Sequence, residues 1–340
     1  MTRTSTLVRL VAAGVLATTT LGLSACGGSD DSDSTASGQP KVIRIGYQLI
    51  TNGDLVVKNQ KLLERAFGDD VKIEWKQFAS GGDVNTAIAA GSLDIGLAGS
   101  SPVSRGLSTN LPYEVPWIFD VIGDAEALAA KPGITSIADL KGKTVATPFA
   151  STSHYSLLAA LKNAGVDVSS VKIIDAEPDA ILASWKAGKI DAAYVWNPTL
   201  AQLDGATTLV TSAELAAKGQ TTYDLAVVAT AFAKKYPDAV QTWVKAEDEA
   251  VKQLNAGDQK AYDSIAAEAN ITPEDAEEQA KGLIFVDAAD QAGDDYLGKT
   301  LPDNLYAAAQ FNKDLGQIDS VADEQSYHDA VVPTFAAAVK

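Results

Sequence analysis

Ala90-Gly91-Ser92-Leu93-Asp94, with Pro102 a few residues on, and Ala187-Gly188-Lys189-Ile190-Asp191, with Pro198, are two copies of one pattern. Each reads as a helix end, a glycine cap, a strand and a loop closed by proline. In the first copy the helix covers 83–90 and the strand 94–97, which leads into Gly99-Ser100-Ser101-Pro102. In the second the helix covers 179–187 and the strand 191–195, running into Trp196-Asn197-Pro198. Helix–glycine–strand is a common unit in α/β proteins, so the match alone fits chance recurrence as well as two lobes of like topology.

The flanking sequence repeats the plan on both sides. Val42-Ile43-Arg44-Ile45-Gly46-Tyr47-Gln48 is a β-branched strand, 54–67 has helical spacing and 71–75 returns to strand. Further on, 144–147 is a strand, and Ser151-Thr152-Ser153-His154 opens a helix with a Leu157, Leu158, Leu161 stripe that closes at Gly165. Another strand follows at 171–174. Strands alternating with helices specify an α/β fold with a mainly parallel sheet. After a strand at 224–230 the chain turns almost wholly helical, over 243–254, 258–270, 272–282, 303–315 and 324–339. This tail is too thin for a core of its own and is expected to pack back on the first lobe.

Composition narrows the function. The chain has 340 residues with 46% apolar and 21% charged, enough to bury a core of two-domain size. There are 44 acidic against 27 basic residues, a net charge of −17. Such a surface repels phosphate backbones and argues against nucleic-acid binding. One cysteine and two histidines, His154 and His328, leave no disulfide framework and no thiolate or His-rich metal site. No metal and no cofactor are expected.

Residues 1–25 read as a secretory leader: Arg3 and Arg9 supply the positive start, 7–23 the apolar run, and small residues follow. Leu23-Ser24-Ala25-Cys26 resembles a bacterial lipobox, with the sole cysteine at the cleavage point. Lipid on Cys26 would then anchor the protein to a membrane surface. Residues 26–40, GGSDDSDSTASGQP after the cysteine, read as a flexible tether. Removing the leader takes two arginines, leaving 25 basic against 44 acidic residues and a net of −19.

Ser151-Thr152-Ser153-His154-Tyr155-Ser156-Leu157-Leu158-Ala159-Ala160-Leu161-Lys162 resembles the equivalent run in the taurine-binding proteins of bacterial ABC importers. So do Gly46-Tyr47-Gln48, Gly99-Ser100-Ser101-Pro102 and Ala193-Tyr194-Val195-Trp196-Asn197-Pro198. The likeness covers about 41–241 and thins through the helical tail. Two stretches depart from it: 49–55 differs in length and composition, and Asn197 stands where a smaller residue is usual. The wider family includes receptors for alkanesulfonates and nitrate. The resemblance implies the two-lobed periplasmic-binding-protein fold (type II), with a ligand cleft between the lobes and two crossover segments, near 126–131 and 224–229. It implies lobe 1 over 41–128 and 227–340 and lobe 2 over 129–226. It further implies an extracytoplasmic monomer that delivers a sulfonate to a permease and its ATPase, without enzymatic activity.

The residues themselves agree with that implication. Ligands of open α/β sheets sit beyond the carboxyl ends of the strands, where the quoted segments lie. Ser100, Ser101, Thr152 and Ser153 are short hydroxyls at helix starts, which attract anions; plain N-capping is the alternative role. Gln48, ending the first strand, can donate an amide N–H to the same anion. Trp196 can wall off a short carbon chain or simply fill a core. Asp224, in the apolar run Thr222-Tyr223-Asp224-Leu225-Ala226-Val227-Val228, is costly to bury unless paired, and a ligand ammonium would pair it. Backbone N–H groups or an arginine of the first lobe are its other possible partners. His154 beside Ser151 and Ser153 lacks a nucleophile elbow, so a lining or packing role is expected rather than catalysis; His328 is expected to be solvated or packing. Other ligands remain open: an alkanesulfonate or nitrate, or an enzyme of the thiamine-pyrimidine type on the same fold. No signalling module follows that would suggest a sensory domain.

Overall fold

The computed structural model describes residues 38–340. The leader, Cys26 and residues 27–37 of the tether lie outside the described residues. The strands of the first part are β1 (Val42–Tyr47), β2 (Lys72–Gln77), β3 (Ile95–Gly99), β4 (Tyr113–Glu114) and β5 (Ile118–Ile122). Five more follow: β6 (Glu126–Ala130), β7 (Thr144–Thr147), β8 (Lys172–Asp175), β9 (Ala192–Trp196) and β10 (Thr207–Thr211). The chain then adds β11 (Tyr223–Ala229) and a two-residue β12 (Leu283–Ile284).

These strands make two sheets. The first runs β2-β1-β3-β11-β5-β12, with β4 on the end of β11; the second runs β8-β7-β9-β6-β10. In each, three parallel strands are followed by an antiparallel one that has just crossed from the other sheet: β11 against β3, and β6 against β9. The chain therefore crosses at 123–125 and again at 217–222. Both stretches expected from the resemblance to cross, 126–131 and 224–229, are instead regular strand inside one sheet. A central strand is buried on both faces and reads as a plain apolar run, with no turn residue to mark where the crossing ends, so the boundary is blurred in the sequence.

The duplicated pattern that opens the sequence folds twice into the same geometry. Gly91 and Gly188 adopt φ of 65° and 66°, which an L side chain rarely takes. Each closes its helix the same way, Ser92 N–H to Ala87 C=O at 3.0 Å and Lys189 N–H to Ser184 C=O at 2.9 Å. The aspartate that follows braces the first strand of its own lobe. Asp94 Oδ2 accepts from Arg44 N–H at 2.8 Å, and Asp191 Oδ2 accepts from Thr144 N–H at 2.8 Å. The two lobes are thus one topology used twice.

The core of the first lobe includes the helical tail, as expected. Trp243, Leu254, Leu301, Leu305 and Tyr327 are buried with Ile43, Ile45 and Leu225 in a single cluster. The second sheet carries separate apolar clusters built around Leu157 and Tyr194, and around Ile181 and Trp185. The expected last helix is two short ones, Glu324–Ala330 and Thr334–Ala337, because Pro333 disfavours helix at the residue before it. No helix among the described residues is long and apolar enough to cross a membrane.

If the bracing aspartates hold the strand ends, Asp191→Ala leaves the Thr144 N–H unpaired and lowers stability by about 1–3 kcal/mol. Urea unfolding of the soluble chain should show a lower midpoint at unchanged slope, and an unchanged midpoint would remove the brace.

Candidate functional site

The carboxyl ends of β1, β3 and β9 open onto a small cavity between the lobes. Three helix N-termini reach it. The helix Gly81–Ala89 begins behind Ser80, and the helix Ser100–Ser108 behind Gly99; neither start carries a side-chain cap. The helix Thr152–Asn163 is capped by Ser151, whose Oγ accepts from His154 N–H at 3.1 Å. Gly81, Gly99, Ser151 and Thr152 all line the cavity. Free N–H groups and aligned peptide dipoles give such a wall a positive potential without any basic side chain.

Glycine is needed at two of these starts because the backbones come close. A Cβ on Gly81 would lie 2.7 Å from Pro102 Cγ, and one on Gly99 would lie 2.5 Å from the Cγ2 of Thr152 in the opposite lobe. Other contacts also join the lobes around the cavity. Ser80 Oγ donates to Glu177 Oε1 at 3.2 Å, and the Tyr155 ring meets that of Phe311 at 4.8 Å. The lobes are closed on each other.

The same cavity also carries acids. Asp224 and Glu126 both line the cavity, buried to 5% and 1% exposure. They occupy the same place in the two lobes: Asp224 pairs with Gly99 across β11 and β3, and Glu126 with Trp196 across β6 and β9. Their surroundings differ. Glu126 Oε2 accepts from Thr152 Oγ1 at 2.6 Å and Ser153 Oγ at 2.9 Å, while Oε1 accepts from Ser212 Oγ at 2.8 Å and Ser156 Oγ at 3.4 Å. Burial pushes its pKa up and these four hydroxyls pull against that. Asp224 has no such set of donors. Burial first, then the charges of Asp120 and Glu126, hold its carboxyl well above the usual range. Asp120, its neighbour on β5, is fully buried and accepts from Asn52 Nδ2 at 2.9 Å.

Of the residues singled out from sequence, Gln48, Thr152, Trp196 and Asp224 line the cavity. Gln48 Nε2 donates to Leu97 C=O at 2.9 Å, so part of its donor capacity is committed to β3. The hydroxyls of Thr152 and Ser153 serve Glu126, a carboxylate of the protein itself. Ser100 Oγ accepts from Tyr223 N–H at 3.2 Å, tying the helix start to β11, and Ser101 Oγ lies 3.5 Å from Asn312 Nδ2. His154 stacks on Phe149 with centroids 4.6 Å apart, and its Nδ1 accepts from Ala150 N–H. Burial and then Arg105 push its pKa down to about 4, which leaves the ring neutral at neutral pH. Ser100, Ser101, Ser153 and His154 are therefore behind the cavity wall rather than on it. His328 is half-buried, with Nε2 3.1 Å from Asp303 Oδ1.

Glu126, Asp120 and Gly81 escape a reading of the sequence alone. Asp120 carries the very signal that picks out Asp224, a lone carboxylate in the apolar run Ile118-Phe119-Asp120-Val121-Ile122. Glu126 sits where a crossover is expected and so passes for a solvated residue.

Two α/β lobes of one topology, two crossings and a closed polar cavity between them define the class: the two-lobed periplasmic-binding-protein fold. The chain belongs to the family described as NMT1/THI5 like, whose model matches residues 68–261. It is 35% identical over 293 residues to the taurine-binding periplasmic protein of Escherichia coli K12, spanning 84% of this chain and 90% of that protein. Among solved structures, the periplasmic aliphatic sulphonate binding protein SsuA from Escherichia coli is similar at TM-score 0.70 and 20% identity, covering 88% of this chain and 100% of that one. The periplasmic nitrate-binding protein NrtA from Synechocystis PCC 6803 is similar at TM-score 0.70 and 15% identity, covering 87% and 88%. At those identities the two structures speak for the fold alone.

Gly99→Ala is compatible with the local backbone, whose φ is −67°, but drives a methyl into Thr152 across the cleft. Overpacking costs about 1–3 kcal/mol, so calorimetry should show ligand affinity lowered by that amount while the melting temperature of the ligand-free protein barely moves. Unaltered affinity would mean that the lobes do not meet at Gly99 when ligand is held.

Proposed function

We propose that this chain is an extracytoplasmic solute-binding protein of an ABC importer, held at the membrane by lipid on Cys26, which closes its two lobes around taurine or a close aminoalkanesulfonate. The observation that carries this reading is Asp224: a carboxylate buried on the wall of a cavity that three helix N-termini also reach, with no cation acting on it among the described residues. A sulfonate presents three acceptor oxygens and one negative charge, suited to the N–H groups at the helix starts that line the cavity, Gly81 and Thr152 among them. Its ammonium end supplies the positive charge that Asp224 lacks, and Trp196 covers the short carbon chain between the ends.

The similarity to the Escherichia coli taurine-binding protein over most of both chains supports the same ligand class and an importer partner, a permease with its ATPase. The lobes extend over 41–122 with 223–340, and over 126–216. A monomer suffices, since both halves of the cavity come from one chain. The protein binds and releases rather than transforms: the ring of His154 is turned into a stack with Phe149. An alkanesulfonate or nitrate receptor has less to recommend it, because those ligands leave the buried acids facing each other with no cation between them.

Calorimetry with taurine, butanesulfonate and nitrate tests this directly. Taurine should bind best, and Asp224→Ala should weaken it by about 2–5 kcal/mol, the usual loss when one partner of a buried charge pair is removed. Equal affinity of the variant for taurine would end the ammonium assignment. Hinge closure predicts that the radius of gyration measured by X-ray scattering falls when saturating taurine is added; no contraction would argue for a rigid receptor.

A further inference from the structure

The equivalence of the lobes exposes one residue that has no counterpart. In the second lobe, continuing the β6–β10 register one residue beyond the Ala127–Thr211 pair places Ser212 opposite Glu126, and its hydroxyl donates to Oε1 at 2.8 Å. In the first lobe the same place, opposite Asp224 on β5, holds Asp120. A hydroxyl donor is replaced by a second carboxylate. Asp120 is 0% exposed, its Oδ2 accepts from Asn52 Nδ2, and its Oδ1 has no partner in the surrounding protein. Asp120 and Asp224 are direct cross-strand partners on β5 and β11, and their carboxyls act on each other. Two carboxylates can bond only if one carries a proton.

We infer that Asp120 and Asp224 form a carboxylate dyad that shares one proton in the empty site and gives it up when the cationic end of a ligand arrives. The inference rests on the aminosulfonate reading for the ligand, but not for the dyad itself. The step balances simply: the O–H bond of the dyad breaks, the proton passes to solvent, and the ligand's ammonium takes its place with two N–H···O contacts available. Asp120 is thus a second selectivity residue: it makes a neutral or anionic ligand end worse than none, and it lets the empty cavity avoid three uncompensated charges.

The charged groups acting on the pair come from each neighbouring element, and among the described residues they are all acids. Asp120 stands on β5, Asp224 on β11 and Glu126 on β6, while β3 contributes only Gly99 and the loop after β1 only the neutral Asn52. Burial, the largest influence, raises Asp120 to about 7 and Asp224 further above the carboxylate range. The sign follows. Below the titration of the dyad the proton is bound and competes with the ligand, so affinity rises with pH; above it, affinity levels off.

Two measurements on the leaderless chain test this. The first needs no ligand: in carbon-13 NMR of aspartate-carboxyl-labelled protein, the pair should contribute one protonated carboxyl at pH 5.5 that titrates near neutrality, told apart from Asp54, which burial also raises to about 7, by its displacement in Asp120→Asn. The second is taurine calorimetry at pH 6 in buffers of different ionisation enthalpy. It should show close to one proton released per ligand, with the dissociation constant falling by up to about tenfold per pH unit below the titration. In Asp120→Asn the released proton and the pH slope should both vanish. Buffer-independent heats in the wild type, two ionised carboxyls at pH 5.5, or proton release that survives in Asp120→Asn would each overturn the dyad. Failure of taurine to bind, with the carboxyl titration intact, would instead overturn the ligand and leave the shared proton standing.

Discussion

Carboxylates buried at the junction of two lobes are the constraint around which the rest of the protein is arranged. Moving an ionised carboxylate out of water costs several kcal/mol even after relaxation, and here Asp120, Asp224 and Glu126 lie together with no basic side chain among the described residues acting on them. Each must find donors, a proton or a partner. The fold supplies the first for Glu126, through four hydroxyls on the helices that begin at Thr152 and Ser212. That cluster also fastens both helices to the strand that has just entered the lobe. For Asp224 the fold supplies no equivalent, and the deficit faces the cavity.

Seen through the lobe symmetry, this contrast is a division of labour. One topology, used twice, brings an acid to the same register position beside the third parallel strand. In the second lobe the acid became a structural anchor, wrapped in short hydroxyls contributed by Ser153, Ser156, Thr152 and Ser212. In the first lobe the corresponding neighbours are Gly99 and Asp120, one with no side chain and one with the wrong charge to help. The absent side chain of Gly99 serves the site too, since it lets Thr152 and its helix start approach from the other lobe. What was removed from the first lobe as hydrogen-bonding capacity is what makes it selective.

The fold and part of the cavity wall are legible in the sequence for identifiable reasons. Gly91 and Gly188 are read correctly because a left-handed helix cap is a local device, written in adjacent residues. Asp224 is legible because a carboxylate in an apolar strand breaks its own pattern. Ser153 is ambiguous because a hydroxyl at a helix start looks the same whether it meets a ligand or a protein carboxylate, and Glu126 is 27 residues away. Asp120 is equally visible by the rule applied to Asp224. It gains meaning only when β5 and β11 are known to be neighbours, a pairing of residues 104 apart that no local pattern encodes.

The excess of acid over the whole molecule bears on which ligand such a site can hold. A net charge of −17 raises the cost of bringing any plain anion into the cleft, and the acids at its back raise it further. A zwitterion carries no net charge to be repelled, so the distant field acts on it only as a dipole, falling off faster with distance and screened within about 10 Å at ordinary salt. Inside the cavity the balance reverses. The cavity offers both helix N-termini and carboxylates, and a ligand with two unlike ends can lower the energy of both. An anion of the same size could satisfy only the first and would aggravate the second. On the proposed reading, the same acids that make the protein as a whole a poor trap for anions would make its cavity a good one for a molecule that is anion and cation at once.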